Sequence, residues 1–212
     1  MLLCGIDEAG RGPIAGPVTA AAVILSPDLP IEGLADSKTL SAARRGALAR
    51  RIRVDAVAWG VGWASHLEID ELNILEATHR AMARAVASME QSLRVRLRAE
   101  HDASSGPGIR LYRAVVDGSC VPPLPAETTA VVRADATIPE VMAASILAKE
   151  ARDAWMVAYD RIDERYGFAR HKGYPTAEHR LRLTVAGACP IHRRSFAPVA
   201  ALCRPVAAAE TR

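Results

Sequence analysis

The sequence predicts an α/β protein: a mixed sheet of about five strands flanked by helices, with a helical C-terminal extension. Three observations lead there. Short apolar runs bounded by turn residues alternate with stretches of helical periodicity. Two of the runs end on an aspartate, Asp117 and Asp135, and strand ends are where α/β proteins assemble ligands. Beyond Gly167 the helix signals continue and the strand signals stop. A chain of 212 residues buries one substantial core. The expected organisation is a core domain over 1–166, a helical extension over 167–203 and a disordered tail over 204–212.

In chain order, Leu2-Leu3-Cys4 leading into Ile6 reads as a buried strand. Strand side chains alternate faces, so Asp7 points into the fold opposite Glu8. Val18 to Leu25, between Pro17 and Ser26-Pro27, is a second strand returning beside the first. Ser41 caps a helix through Arg53, and Ala56 to Ser65 is a strand. From Ile69, Leu72, Leu75, Met82, Val86, Met89 and Leu93 keep helical spacing and predict one amphipathic helix packed on the sheet. Arg98 to Gly108 reads as a flexible surface loop. Strands follow at Leu111 to Val116 and at Thr129 to Ala134. Thr137-Ile138-Pro139-Glu140 fits a capping box with Thr137 as N-cap, opening a helix to about Tyr159. Its Ala143-Ala144-Ser145 and Ala148 are small enough for close approach to the sheet. Thr176 caps a further helix through Ala186, ended by Gly187 and Pro190, and the closing segment His192 to Phe196 is basic with one aromatic.

Formal charge is +3, so nucleic-acid binding requires a local basic face rather than a strongly basic whole. The basic residues include only three lysines, Lys38, Lys149 and Lys172, a bias that composition of the genome explains as well as phosphate recognition does. Cys4, Cys120, Cys189 and Cys203 are scattered without zinc-ligand spacing, which fits a reducing compartment. No stretch approaches the roughly 20 apolar residues of a membrane span, and a cytoplasmic protein is expected.

The chemistry concentrates at Gly5-Ile6-Asp7-Glu8-Ala9-Gly10-Arg11-Gly12-Pro13. A buried carboxylate neutralises itself, pairs with a cation or binds a metal. Gly10 and Gly12 flank Arg11, permit positive φ and let a ligand approach the main-chain N–H groups. Taken alone, the string reads equally as a glycine turn with a structural salt bridge. Asp36 likewise reads alone as a turn cap, and Tyr174 before Pro175 as an ordinary turn aromatic.

The longer string, GIDEAGRG followed by PIAGPV, resembles the opening signature of the type 2 ribonucleases H, the bacterial ribonuclease HII family. The same order of blocks continues at Asp36-Ser37-Lys38, Asn73 to Thr78, Val116-Asp117-Gly118, Arg133 to Lys149, HKGYPT from His171 and HRRSFAPV from His192. The resemblance implies a ribonuclease H-like fold. It also implies an endonuclease that hydrolyses the RNA strand of RNA–DNA hybrids and nicks 5′ to ribonucleotides embedded in duplex DNA, leaving 3′-hydroxyl and 5′-phosphate ends. Asp7, Glu8, Asp117 and Asp135 become the catalytic carboxylates, an all-oxygen set suited to two divalent ions, Mg²⁺ or Mn²⁺. Gly10, Arg11 and Gly12 become the sensor of the 2′-hydroxyl, Tyr174 a platform on the adjacent deoxyribose, and Lys38 a phosphate contact. With two metals no histidine base is needed, so His171, His179 and His192 are assigned surface or phosphate-side roles. Arg133 stands where lysine is common in the family and Glu150 where valine is usual; Glu150 either faces solvent or alters local packing. With six residues before Asp7, the N-terminal domain of the type 3 relatives is not expected. The expected partners are RNA–DNA hybrid and ribonucleotide-containing duplex DNA in ribonucleotide removal, replication or repair, with a monomer needing no obligatory protein partner. The alternatives are a hybrid-binding protein that does not cut, which loss of a carboxylate would favour, and a resolvase-like metal nuclease.

Overall fold

Strand β1 (Leu2–Ala9) is the middle strand of a five-stranded mixed sheet in the computed structural model, which describes residues 1–100 and 112–203. On one side β2 (Val18–Ile24) pairs antiparallel with β1, and β3 (Ala58–Ala64) antiparallel with β2. On the other side β4 (Tyr112–Asp117) and β5 (Thr128–Val131) run parallel, giving the order β3-β2-β1-β4-β5. Both neighbours of β1 shield it, which is why its apolar run reads so clearly as buried.

Helix α1 (Ala42–Asp55), capped by the Ser41 hydroxyl on the Arg44 amide, shares one face of the sheet with α4 (Pro139–Asp160). Helix α3 (Ile74–Glu100) covers the other face. Glycines set the spacing. A Cβ on Gly5 would stand 2.1 Å from the Glu140 carbonyl carbon, so the backbone of α4 rests directly on β1. Gly60 and Gly62 do the same for α3 on β3.

Several local expectations need correction. The predicted single helix from Ile69 is two: α2 (His66–Leu72), opened by a Ser65–Glu68 capping box, and α3. Asn73 turns the chain at φ 77°, and its Oδ1 accepts from the Leu75 and Glu76 amides to cap α3. Arg98 to Glu100 continue α3 rather than loop, and the rest of the expected surface loop, like the start of the strand at Leu111, lies outside the described residues. The strand expected to reach Ala134 stops at Val131. Arg133 enters the left-handed region at φ 60°, and a 3-10 turn (Ala134–Ala136) carries Asp135. Because the amides of Thr137 and Ile138 are spent on Ala134 O in that turn, the α4 cap moves to Ile138. Pro139 takes the first helical position and no capping box forms.

After Gly167 the chain forms α5 (Phe168–His171), α6 (Ala177–Ala186, capped by Thr176) and α7 (Ala197–Cys203). Only α6 follows from the sequence pattern; residues 204–212 lie outside the described residues. Tyr166, Phe168, Leu183, Ile191 and Val199 share a core with Ile14, Ala15 and Met156 from the N-terminal loop and α4. Asp70 of α2 fastens the same segment by accepting from Arg194 N, Ser195 N and Ser195 Oγ at 2.8, 2.9 and 2.6 Å.

The surface or phosphate-side roles expected of His171, His179 and His192 do not hold, because all three rings are buried. His192 Nδ1 accepts from Cys189 N at 3.0 Å, its Nε2 lies 3.1 Å from His179 Nε2, and His179 Nδ1 donates to Tyr174 O at 2.9 Å. This relay is satisfied only by neutral rings, since a second proton between the two Nε2 atoms would face another N–H. Burial, then the neighbouring His171 for one ring and His179 for the other, push His179 and His192 down to about 4. An unfolded histidine titrates near 6.5, so between there and about 4 the unfolded chain takes up protons that the folded one refuses. Stability is therefore full above pH 6.5 and falls as pH drops through that window, by on the order of 1–2 kcal/mol per ring at pH 5. Imidazole proton resonances of the folded protein should show neither ring titrating above about pH 5. Either ring titrating normally would remove the relay.

Candidate active site

The C-terminal ends of β1 and β4 bring the acidic residues to one edge of the sheet. The pairing Ile6↔Val116 carries Asp117 alongside Asp7, and the Asp117 carboxylate then receives the Ala134 amide at 2.7 Å. That bond ties the turn bearing Asp135 to the end of β4. Asp7 and Asp135 are buried, and Glu8, on the opposite face of β1, borders with Asp117 a cleft of about 80 Å³ that Arg11, Thr78, His79 and Met82 also line. The structure thus gathers all four predicted carboxylates, with Asp135 on a 3-10 turn rather than a strand end.

Cations stand against them. Lys38 Nζ is 3.4 Å from Asp135 Oδ2, and Arg11 is 3.4 Å from Glu8 Oε1. Burial alone would lower the Lys38 ammonium, but Asp36, Asp135 and Asp7 hold it above its ordinary value. The loop that presents Lys38 is fixed from below: Ser37 Oγ meets Ser145 Oγ at 2.7 Å, and the nearly buried Arg45 donates to Ser37 O and Leu40 O. Glu150 is part exposed and does more than alter local packing. It neutralises Arg45 at 2.8 Å and so braces the Lys38 loop.

The predicted recognition residues also converge. Tyr174, part exposed, stands beside Gly12, where an added Cβ would be 3.6 Å from its Cε1; Lys149 Nζ lies 5.8 Å from its ring centroid. Gly10 has φ 100° and backs onto Arg152, whereas Gly12 has no positive φ, so of the two reasons expected for glycine the conformational one holds only at Gly10. Sequence reasoning missed Ser145, Lys149, Arg152 and Arg193. The signals were present only as separate blocks, because their partners lie far away along the chain.

Burial, then the charge of Glu8, raise Asp7 well above the usual carboxylate range; burial, opposed by Arg11 and reinforced by Asp117, raises Glu8. Carboxylates forced together in this way favour a cation between them. Among the described residues no group of three or more His, Cys, Asp or Glu side chains stands at chelating distance. All-oxygen donors of high charge fit hard divalent ions, not zinc.

A family model described as ribonuclease HII matches residues 4–199. The chain is 52% identical over 200 residues to the ribonuclease HII of Paracidovorax citrulli, covering 94% of this chain and 76% of that one. Among solved structures, the ribonuclease H2 of Pyrococcus horikoshii OT3 aligns with a TM-score of 0.70 at 25% identity, over 95% of this chain and 97% of that one. The Bst-RNase HIII structure in complex with Mn²⁺ aligns with a TM-score of 0.63 at 16% identity, over 88% and 70%, a likeness of fold.

Because folding raises Asp7, its ionised form opposes folding at neutral pH, and stability gains as pH falls through the folded pKa. Asp7→Asn in chelator should therefore raise the thermal midpoint at pH 7.5, with a smaller gain near pH 4. A variant less stable than the wild type at pH 7.5 would show that Asp7 is paid in full by its hydrogen bonds.

Proposed function

The chain belongs to the ribonuclease HII family and is an endoribonuclease that hydrolyses the RNA strand of RNA–DNA hybrids; on that premise we propose that Asp7, Glu8, Asp117 and Asp135 are its catalytic carboxylates. The observation that carries this is their convergence at one sheet edge, with Asp7 raised by burial and by the charge of Glu8, and Glu8 raised by burial and, against Arg11, by Asp117. The family is divalent-metal dependent, and we assign two ions, Mg²⁺ or Mn²⁺, to these four side chains. Bound there, the ions supply an activated water and charge stabilisation for the scissile phosphodiester.

The chain's own groups do the rest. Asp7 and Asp135 present oxygens from the protein interior, while Glu8 and Asp117 present theirs across the cleft. Lys38 and Arg11 are cations that ions would release from Asp135 and Glu8, and once released Lys38 is free to meet a phosphate. Gly10, Arg11 and Gly12 read the 2′-hydroxyl through the main chain, since that group alone separates RNA from DNA at one position. Tyr174, held by its carbonyl on the histidine relay and by its amide on His171 O, supplies a stacking face beside Gly12. This arrangement supports nicking 5′ to a single ribonucleotide in duplex DNA, with 3′-hydroxyl and 5′-phosphate products, in ribonucleotide removal.

Nicking of a duplex with one ribonucleotide, strictly dependent on Mg²⁺ or Mn²⁺, tests the activity. Asp7→Asn and Asp135→Asn should each lower turnover by at least about 10²-fold while hybrid binding stays near wild type. Near-normal cleavage at saturating Mg²⁺ would withdraw the role from that residue.

Substrate choice should separate from catalysis. Tyr174→Ala loses a stacking platform worth about 1–3 kcal/mol, and Gly12→Ala places a methyl between loop and tyrosine; Arg11→Ala should disturb recognition less than Gly12→Ala. For Tyr174→Ala and Gly12→Ala, single-ribonucleotide nicking should fall while calorimetric metal binding holds. Unchanged nicking in both would refute these recognition roles and leave the carboxylates untouched.

A further inference from the structure

Arg193 is fully buried, yet among the described residues its guanidinium meets main-chain carbonyls and no carboxylate. Nε donates to Gly16 O at 2.9 Å, Nη1 to Arg11 O at 3.1 Å, and Nη2 to Gly10 O at 2.7 Å and Pro17 O at 3.1 Å. Behind it the buried Arg152 donates to Pro17 O, Ala15 O and Lys172 O. Burial, then the neighbouring Arg152, push Arg193 down to about 9, which leaves it charged at neutral pH. Two like charges sharing an interior are costly; Asp70 and Asp153 offset part of that cost without an ion pair among the described residues, and the carbonyl dipoles offset it only while they point at the guanidinium.

The consequence for the loop follows from peptide geometry. Among the described residues all peptide bonds are trans, and in a trans unit N–H points opposite to C=O. With the Gly10 and Arg11 carbonyls drawn inward, the amides of Arg11 and Gly12 face away from Arg193, on the exposed side of the loop next to Tyr174. Among the described residues neither amide has a protein acceptor. A cation on the carbonyl side also polarises each peptide and makes its N–H a stronger donor.

We propose that Arg193 is a positioning residue for ribonucleotide recognition: it aims and polarises the Arg11 and Gly12 amides as donors to the 2′-hydroxyl. The inference rests on reading Gly10 to Gly12 as the sensor of that group. Phe196, whose ring centroid is 5.1 Å from the Arg193 guanidinium carbon, helps to hold it in place.

The test compares single-turnover nicking of a duplex carrying one ribonucleotide with the same duplex carrying the 2′-deoxy sugar, in Mn²⁺. Arg193→Lys keeps the charge but loses the fork that spans several carbonyls. It should lower the ribo-to-deoxy rate ratio by about 10- to 100-fold with metal binding unchanged, and Phe196→Leu should lower it less. A purely structural role would reduce both rates alike and leave the ratio intact, which would overturn the proposal. If Arg193→Lys does not fold, Phe196→Leu decides by the same ratio. Gly12→Ala is the control: a ratio that falls there but not in the other variants refutes the clamp and keeps the sensor, whereas a ratio unchanged in all three refutes both.

Discussion

The contact on which the site depends is the one between Gly5 and the first turn of α4. No side chain fits between them, so the height of α4 above β1 is set by backbone against backbone. From that seat α4 delivers Ser145 under the Lys38 loop, Glu150 to Arg45, Lys149 beside Tyr174 and Arg152 beneath Gly10. The turn that leads into α4 carries Asp135 and is tied to Asp117. One absent methyl thus fixes both the carboxylates and the residues for which a substrate-binding role is proposed.

The carboxylate edge is built against its own stability. Asp7 and Glu8 are held where charge is disfavoured, and Lys38 and Arg11 moderate the repulsion through contacts at 3.4 Å, long for ion pairs and mostly solvent-exposed on the cationic side. Such pairs contribute little to stability and are readily exchanged. A tighter pairing would steady the free protein but compete with the ions the chemistry needs.

Most of the strands, and Asp7 and Asp117 at the ends of two of them, were legible in the sequence because each depends on nearby residues, an apolar run and a turn; that the carboxylates form one set came only from the family resemblance. The Asn73 break was not, since one left-handed residue that caps the next helix leaves the apolar spacing almost in phase. The shortening of β5 was hidden in Arg133, an arginine in a conformation that favours glycine or asparagine. His171, His179 and His192 read as polar because burial of a neutral relay depends on partners from three separate segments. Glu150 and Arg193 were legible only as charges; that one neutralises a buried arginine and the other has no acid partner is a property of contacts 105 and 183 residues apart.

The separation of Arg193 from the loop it orders also has a temporal meaning. Residues 10 to 17 leave the ribosome early, while the guanidinium that collects their carbonyls is joined to the chain near the end of the described sequence. Until it arrives, those carbonyls face water and the loop has no reason to present its amides in one direction. On the sensor role proposed for that loop, a nascent chain therefore holds its acidic residues long before the loop can present its amides to a 2′-hydroxyl. On that reading discrimination is acquired later in synthesis than the carboxylates, a consequence of topology.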